Sequence, residues 1–177
     1  MKMQENNINF TSFYNIGIWQ TQFNKTNSKD LIEKCYQIKK EFPTVSKSNI
    51  NGYQSESNLH TNPLFFSLVK LLNNINLQIT NYPNNRISDM WVNISPRHSL
   101  NHKHNHGHDI HQLSGVMYLK VPKNSGDLYF YNPLNTNHVN HYQPTEGEIL
   151  IFSQALSHSV GPNLSEEDRI SIAFNYE

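Results

Sequence analysis

The sequence predicts an α+β, mainly β domain in which helices come first and a β-sandwich or barrel follows. Between residues 27 and 82, two stretches place apolar residues at three- or four-residue steps, as amphipathic helices do. After Pro83 the apolar period shortens to two, which is typical of strands. No repeat and no Gly-, Ser- or Pro-rich linker divides the 177 residues. We therefore expect a single domain over residues 1–177, with helical support at about 27–82 and a β core at about 86–177.

The two predicted helices have recognisable starts. The first covers "SKDLIEKCYQIKKEF" (28–42), with Asn27 or Ser28 as the candidate cap. Its apolar stripe consists of Leu31, Cys35, Ile38 and Phe42. The second covers "NPLFFSLVKLLNNINLQI" (62–79), where Asn62 followed by proline suits a cap and a first helical position. Both stripes predict helices that bury one side against the β core.

Five short strands are predicted in the second half, each rich in β-branched or aromatic residues and most of them bounded by turn residues. Their sequences are "SDMWVNIS" (88–95), "LSGVMYLKV" (113–121), "GDLYFYN" (126–132), "GEILIFS" (147–153) and "RISIAFNY" (169–176).

Composition narrows the class of protein. Lys+Arg and Asp+Glu both number 14, so the net charge is zero, which argues against a nucleic-acid partner. Cys35 is the single cysteine, which excludes an intrachain disulfide and a Cys-rich zinc site. The start "MKMQENNINF" has no apolar core of a signal peptide, and no window approaches the ~20 apolar residues of a membrane span. We expect a cytoplasmic protein without a membrane partner, and the oligomeric state is unknown at this stage.

Histidines are the outlying feature: five of the ten fall within "HKHNHGHDIH" (102–111). Side chains at i and i+2 of a strand share a face, so two neighbouring histidines can bind one metal ion. His158, at the end of the apolar strand in "ILIFSQALSHSV", is the best distant third ligand. Such a set leaves open positions on the metal, as in non-haem iron oxygenases, whereas the alternative is a solvated His-rich loop. The histidines expected not to ligate are His98, His102, His104, His111, His138 and His141.

Arg169 follows His158 by eleven residues, across the turn "GPNLSEED", so a hairpin can return the two side chains to one place. Ser171 shares a strand face with Arg169. A guanidinium fork beside a hydroxyl suits a carboxylate ligand. The alternative is a surface ion pair with one of the acidic neighbours, Glu166, Glu167 or Asp168.

Four stretches together resemble a known family. They are "NGYQS" (51–55), "MWVNISP" (90–96), "HGHDIHQLSGVMYLKVP" (106–122) and "GEILIFSQALSHSVGPNLSEEDRISIAFN" (147–175). In their order and spacing they resemble the 2-oxoglutarate/Fe(II)-dependent oxygenases, in the prolyl-hydroxylase-like branch known largely from bacterial and phage genomes. The resemblance covers most of residues 50–177. It implies a double-stranded β-helix, a jelly-roll or cupin-like barrel with helices packed outside.

The resemblance also implies a metal site. By position it makes His106 and His158 iron ligands, and His108 falls where the wider superfamily has an Asp or Glu. Three alternatives remain open: His108 itself completes a three-His catalytic centre, Asp109 replaces it, or water fills that position. Strand alternation favours His108, because Asp109 should face the other way.

For the co-substrate, the resemblance implies that Arg169 holds the distal carboxylate of 2-oxoglutarate, with Ser171 assisting and Tyr118 or Tyr129 adding a hydroxyl. The implied cofactors are Fe(II) and 2-oxoglutarate. The implied reaction consumes O₂, converts 2-oxoglutarate to succinate and CO₂, and hydroxylates an unknown primary substrate. The alternatives are a non-catalytic cupin-like metal- or ligand-binding protein and a three-His iron dioxygenase that does not use 2-oxoglutarate. Neither alternative needs an Arg169-x-Ser171 pair.

Overall fold

The computed structural model of the chain describes residues 7–13, 16–23, 28–135 and 137–177. The described residues form two α-helices, α1 (Ser28–Glu41) and α2 (Phe66–Thr80), and a set of mostly short strands. The strands are β1 (Asn9–Phe13), β2 (Ile16–Gln22), β3 (Asn49–Ile50), β4 (Tyr53–Gln54), β5 (Ile87–Ser95), β6 (Leu100–His104), β7 (Leu113–Lys120), β8 (Leu128–Tyr131), β9 (Val139–Tyr142), β10 (Glu148–Ser153), β11 (His158–Val160) and β12 (Arg169–Tyr176).

The strands form two sheets with antiparallel pairing. One has the order β1-β2-β10-β7-β12-β5-β4 and the other the order β3-β6-β11-β8-β9. From β5 onward the chain passes repeatedly from one sheet to the other, so that consecutive long strands face each other across the interior. This is the winding of a double-stranded β-helix, and it confirms the predicted mainly β fold class.

Strand β12 has one face in the main core and the other toward the candidate site. Ile170, Ile172 and Phe174 are fully buried in the main core, which lies between the seven-stranded sheet and the two helices. Burying a Leu, Ile or Phe side chain in such a core stabilises the fold by roughly 1.5–3 kcal/mol. The alternate residues, Arg169 and Ser171, face the space between the two sheets. The buried apolar face of β12 therefore fixes the position of the polar side chains on its other face.

Both predicted helices are confirmed, with small differences at their ends. Phe42, the last residue of the first apolar stripe, lies just beyond α1 and is 51% exposed. The second helix begins with a 3-10 turn at Pro63–Phe65, where the Asn62 side chain accepts a hydrogen bond from the Leu64 amide. Asn81 ends α2 in the left-handed conformation. The candidate cap Asn27 lies outside the described residues.

All five predicted strands are present, as β5, β7, β8, β10 and β12. The strands that the sequence did not predict are β1, β2, β3, β4, β6, β9 and β11. Strand β2 is extended because it pairs with β10 along five residues, a tertiary interaction with little local signal. No helix in the described ranges is long and apolar enough to span a membrane.

Candidate active site

Three histidines converge between the sheets: His104, His106 and His158, called here the histidine triad. Each offers a ring nitrogen, and these nitrogens all lie within 4.8 Å of one another. His104 ends β6 and faces His158, the first residue of β11, with ring centroids 4.4 Å apart. His106 follows two residues beyond β6, and its ring centroid is 5.1 Å from each of the other two. The two neighbouring histidines of the His-rich run that can bind one metal ion are therefore His104 and His106.

The structure differs from the expectation at His108. Strand β6 ends at His104, so the alternation expected for His106 and His108 does not hold. The His106 amide donates to the Gln154 carbonyl, after which the chain turns away. His108 and Asp109 are both exposed and lie outside the triad, and Asp109 instead accepts a hydrogen bond from the His111 amide. The expected shared strand face for residues 106 and 108 was wrong, and His104, expected to be a bystander, occupies the site.

His158 also differs in its placement. Strand β10 ends at Ser153, and His158 begins a separate strand in the opposite sheet. Its ring packs against Phe152, at 5.0 Å between centroids, and against Phe130 at 6.4 Å. The residues between Ser153 and His158 thus carry the chain from one sheet to the other, which is why His158 can face β6 directly.

Backbone carbonyls fix the orientation of two imidazoles. The Nδ1 of His104 lies 2.7 Å from the His102 carbonyl, and the Nδ1 of His158 lies 2.9 Å from the Leu156 carbonyl. A carbonyl can only accept, so each Nδ1 carries the proton and each Nε2 keeps its lone pair. This is the usual way in which proteins orient metal-binding histidines.

The triad is neutral at neutral pH. The pKa of His106 is lowered to about 4, mainly by burial and also by the neighbouring His104, while Asp89 acts in the opposite direction. Burial also lowers the pKa of His104 and lowers that of His158 well below its usual value. Neutral imidazole is the form that binds a metal ion, so protons compete weakly here.

A narrow inner cavity joins the triad to Arg169. Besides the three histidines, its polar lining includes Asn93, Tyr118, Arg169 and Ser171, and its apolar lining includes Trp91, Val116, Leu128 and Phe152. The apolar walls limit access of water to the polar groups, which strengthens their interactions with a bound anion.

Arg169 is 3% exposed. One guanidinium nitrogen donates to the carbonyls of Ser125 and Gly126, at 3.0 and 3.3 Å, and the other lies 3.4 Å from the Ser95 hydroxyl. Within the described ranges, no carboxylate forms an ion pair with it. The guanidinium is therefore a buried positive charge without a protein counterion, and an anionic ligand would complete it.

The alternative of a surface ion pair for Arg169 does not hold, because its acidic neighbours contact other residues. Glu166 pairs with Arg97, Glu167 with Lys120, and Asp168 accepts from the Tyr36 hydroxyl.

The turn that precedes Arg169 is held by one buried side chain, Asn163. Its amide nitrogen donates to the carbonyls of Ser95 and Glu167, at 2.8 and 2.9 Å. Its amide oxygen accepts from the Ser165 amide at 2.8 Å. Strand β12 thus starts from a fixed point at the base of the inner cavity. Arg169 and His158 lie in different sheets, not in one hairpin, and meet across the interior.

The two candidate tyrosines occupy different sides of the barrel. Tyr118 lies in the inner cavity beside Arg169, is buried, and is opposite Ser171 in the sheet register. Tyr129 alternates with the buried Leu128, and its ring stacks edge-on against His141. Of these two tyrosines, Tyr118 lines the inner cavity and Tyr129 does not.

Sequence reasoning missed Asn93 as a site residue. It lies on the inner face of β5, opposite Ser171, and its buried side-chain oxygen has no hydrogen-bond partner among the described residues. The signal was present in "MWVNIS", because strand alternation puts Trp91, Asn93 and Ser95 on one face.

Comparison with known proteins gives a family match and a similar fold. A family model described as "Putative 2OG-Fe(II) oxygenase" matches residues 89–175. A search of the curated proteins finds no match. Among solved structures, a prolyl-4-hydroxylase from Pseudomonas putida is similar, with a TM-score of 0.71 and 13% identity over 90% of this chain and 91% of that one. HygX from Streptomyces hygroscopicus, with nickel and 2-oxoglutarate bound, has a TM-score of 0.69 and 14% identity over 91% and 82%.

The fold, the histidine triad and the family match define a non-haem, 2-oxoglutarate-dependent class of enzyme. Residues 89–175 match the 2OG-Fe(II) oxygenase family model, and the fold and the histidine triad are consistent with that match. Fe(II) and 2-oxoglutarate are the cofactor and co-substrate after which that family is named.

Proposed function

We propose that this oxygenase hydroxylates a C–H bond of its primary substrate while it converts 2-oxoglutarate and O₂ to succinate and CO₂. One oxygen atom enters the product alcohol and the other enters succinate, so the four electrons that reduce O₂ come from both substrates. The observation that supports this most strongly is Arg169, a buried guanidinium without a counterion that shares a narrow cavity with three neutral histidines.

The proposed metal ligands are His104, His106 and His158. Imidazole nitrogen is a suitable donor for Fe(II), and three neutral ligands leave positions for a chelating co-substrate and for O₂. Bound iron supplies coordination of the keto acid and reduction of O₂. The charge of the ion is not balanced by a protein carboxylate within the triad, so the dianionic co-substrate contributes to charge balance.

Arg169 is proposed to bind the distal carboxylate of 2-oxoglutarate through the guanidinium edge that faces the inner cavity. The hydroxyls of Ser171 and Tyr118 and the amide of Asn93 line the same space. A charge-assisted hydrogen bond of this kind is about twice as strong as a neutral one, and burial strengthens it further.

A three-His iron dioxygenase that does not use 2-oxoglutarate is the second candidate. One observation favours it: the triad contains three histidines and no carboxylate. It gives Arg169 no role, and a buried guanidinium that lacks an ion-pair partner in the described ranges then has no explanation.

The deciding experiment is thermal unfolding of the protein loaded with Mn(II), with and without 2-oxoglutarate. A ligand at 100 times its Kd stabilises the native state by about 2.7 kcal/mol, which is seen as a higher Tm. Succinate formation with Fe(II), ascorbate and 2-oxoglutarate then tests turnover. Binding without any succinate, or no binding at all, would contradict the proposal.

Arg169→Ala provides the matched test, with the exposed Arg97→Ala as its control. Arg169→Ala should abolish the 2-oxoglutarate shift while Mn(II) still stabilises the protein, and Arg97→Ala should preserve both effects. Arg169→Lys keeps the charge but not the bidentate fork, so we expect it to restore only part of the affinity. Equal loss of metal and 2-oxoglutarate binding in Arg169→Ala would argue against the assigned role.

A further inference from the structure

A second space, the outer cavity, adjoins the histidine triad and has a volume of about 490 Å³. His104, His106 and Trp91 line both the inner and the outer cavity. A substrate in the outer cavity would therefore reach the triad from a space that Arg169 does not line. The polar groups that line this space decide which substrates it can accept.

Asp89 is the acidic side chain in the lining of the outer cavity. It lies on β5, two residues before Trp91 and opposite Asn175 of β12 in the sheet register. Asp89 is partly buried. In the described ranges its carboxylate forms neither an ion pair nor a side-chain hydrogen bond. It lines the outer cavity together with His104 and His106.

A partly buried carboxylate has lost part of its hydration, and no side chain among the described residues replaces it at Asp89. Its neighbour Asn175 accepts a hydrogen bond from the Ser114 hydroxyl, at 2.7 Å, and among the described residues its amide nitrogen forms no hydrogen bond to Asp89. Trp91, 8% exposed, forms a wall of the same cavity. A carboxylate beside an indole ring is an arrangement that attracts organic cations, by charge and by the cation–π interaction.

Two lysines also line the outer cavity, Lys47 and Lys103, but neither neutralises Asp89. Both are exposed, and neither forms an ion pair with it. The ammonium group of Lys103 lies 4.3 Å from the centre of the Tyr131 ring, outside the site. The negative charge at the triad's edge therefore remains available to a ligand.

We propose that the primary substrate is an organic cation, an amine or guanidine, whose charged group binds Asp89 and the face of Trp91. Its neighbouring C–H bonds would then lie over the histidine triad. The consequence for hydroxylation rests on the proposed function, but the binding of the cation does not. Asp89 acts here as a specificity-determining residue.

Trp91 supplies a direct readout of cation binding. The chain has two tryptophans, so Trp19→Phe leaves Trp91 as the single indole, and Trp19 lines neither cavity. The Mn(II)- and 2-oxoglutarate-loaded Trp19→Phe protein is titrated with hexylammonium and, separately, with the neutral analogue 1-hexanol. We expect a saturable change in Trp91 fluorescence with hexylammonium at a Kd at least tenfold lower than with 1-hexanol.

The comparison variant is Asp89→Asn in the same Trp19→Phe background, with Asp127→Asn as a control for net charge outside the cavity. Asp89→Asn should raise the hexylammonium Kd at least tenfold, and Asp127→Asn should leave it within about twofold, since a hydrogen bond to a charged group is worth about 1.5–3 kcal/mol. Similar affinities for the cation and the alcohol would overturn the proposal. So would an Asp89→Asn variant that loses Mn(II) affinity but keeps the preference for the cation, because Asp89 would then act on His106.

The Tm shift produced by 2-oxoglutarate in the same samples separates the two proposals. Selective binding of the cation without a Tm shift by 2-oxoglutarate would contradict the proposed function but support the cation site. A Tm shift by 2-oxoglutarate without selective binding of the cation would support the proposed function and contradict the cation site.

Discussion

His104 and His158 face each other as partners on adjacent antiparallel strands, β6 and β11, with ring centroids 4.4 Å apart. Two of the three proposed metal ligands are therefore brought together by strand pairing across 54 residues of sequence. The register shifts between His158 and Val160. A slip by one residue would turn His104 to the other face of the sheet and separate the pair.

The first prediction concerns the choice of ligands. His104→Gln should weaken Mn(II) or Fe(II) binding by more than the 10- to 100-fold that is typical of losing a residue behind a metal ligand. His108→Gln is the matched control, because His108 is exposed and lies outside the triad. Isothermal titration of the metal-free variants measures both. If His108→Gln proved the more damaging, the assignment of His104 would be wrong.

The second prediction separates the two tyrosines. Tyr118→Phe removes a hydroxyl from the inner cavity beside Arg169 and should weaken 2-oxoglutarate binding several-fold, since a hydrogen bond is worth about 0.5–1.5 kcal/mol. Tyr129→Phe, in the five-stranded sheet and outside the lining of the inner cavity, should leave the affinity unchanged. Titration of the Mn(II)-loaded variants with 2-oxoglutarate checks this. If only Tyr129→Phe weakened binding, Tyr129 and not Tyr118 would contact the co-substrate.

The third prediction concerns pH. Burial holds the pKa of His106 at about 4, below the usual 6.5, so the unfolded chain binds a proton before the folded protein does. The free energy of unfolding should therefore be greatest above pH 6.5 and fall as the pH decreases toward 4. Urea midpoints of the metal-free protein at pH 7, 6 and 5 measure this fall. His106→Gln should show a shallower fall, and identical slopes would contradict the expectation.

The fourth prediction tests packing between the two cores. A Cβ on Gly115 would lie 2.3 Å from the Phe174 ring and 2.8 Å from the Leu150 carbonyl. Gly115→Ala should therefore lower the free energy of unfolding by about 1–3 kcal/mol, the usual cost of overpacking. Gly52→Ala is the control, since its Cβ meets nothing closer than 3.4 Å. Urea denaturation compares the two, and equal stability would show that β7 and β12 can separate.

The sequence predicted the helices because their apolar period comes from burial on one side. It predicted β7, β10 and β12 because strands buried on most positions are rich in β-branched and aromatic residues. It also singled out Arg169, Ser171 and His158, which do line one cavity, but they meet across two sheets and not in the expected hairpin. It failed for His104 because the argument depended on where β6 ends, and a run of alternating histidines contains no local signal for that end. Strand β2 was missed for a similar reason, since its conformation depends on pairing with the distant β10.

Asn163 fastens the turn before Arg169 through three hydrogen bonds from one buried amide. The guanidinium therefore stands in position before any ligand arrives, and little ordering entropy remains to oppose binding. The backbone amides of Asn163 and Leu164 also bond to the Ser99 and Asn124 carbonyls, so replacement of the exposed Glu166 and Glu167 leaves these contacts of the turn in place. Exposed residues of the turn can thus differ in sequence while the position of the Arg169 guanidinium stays the same.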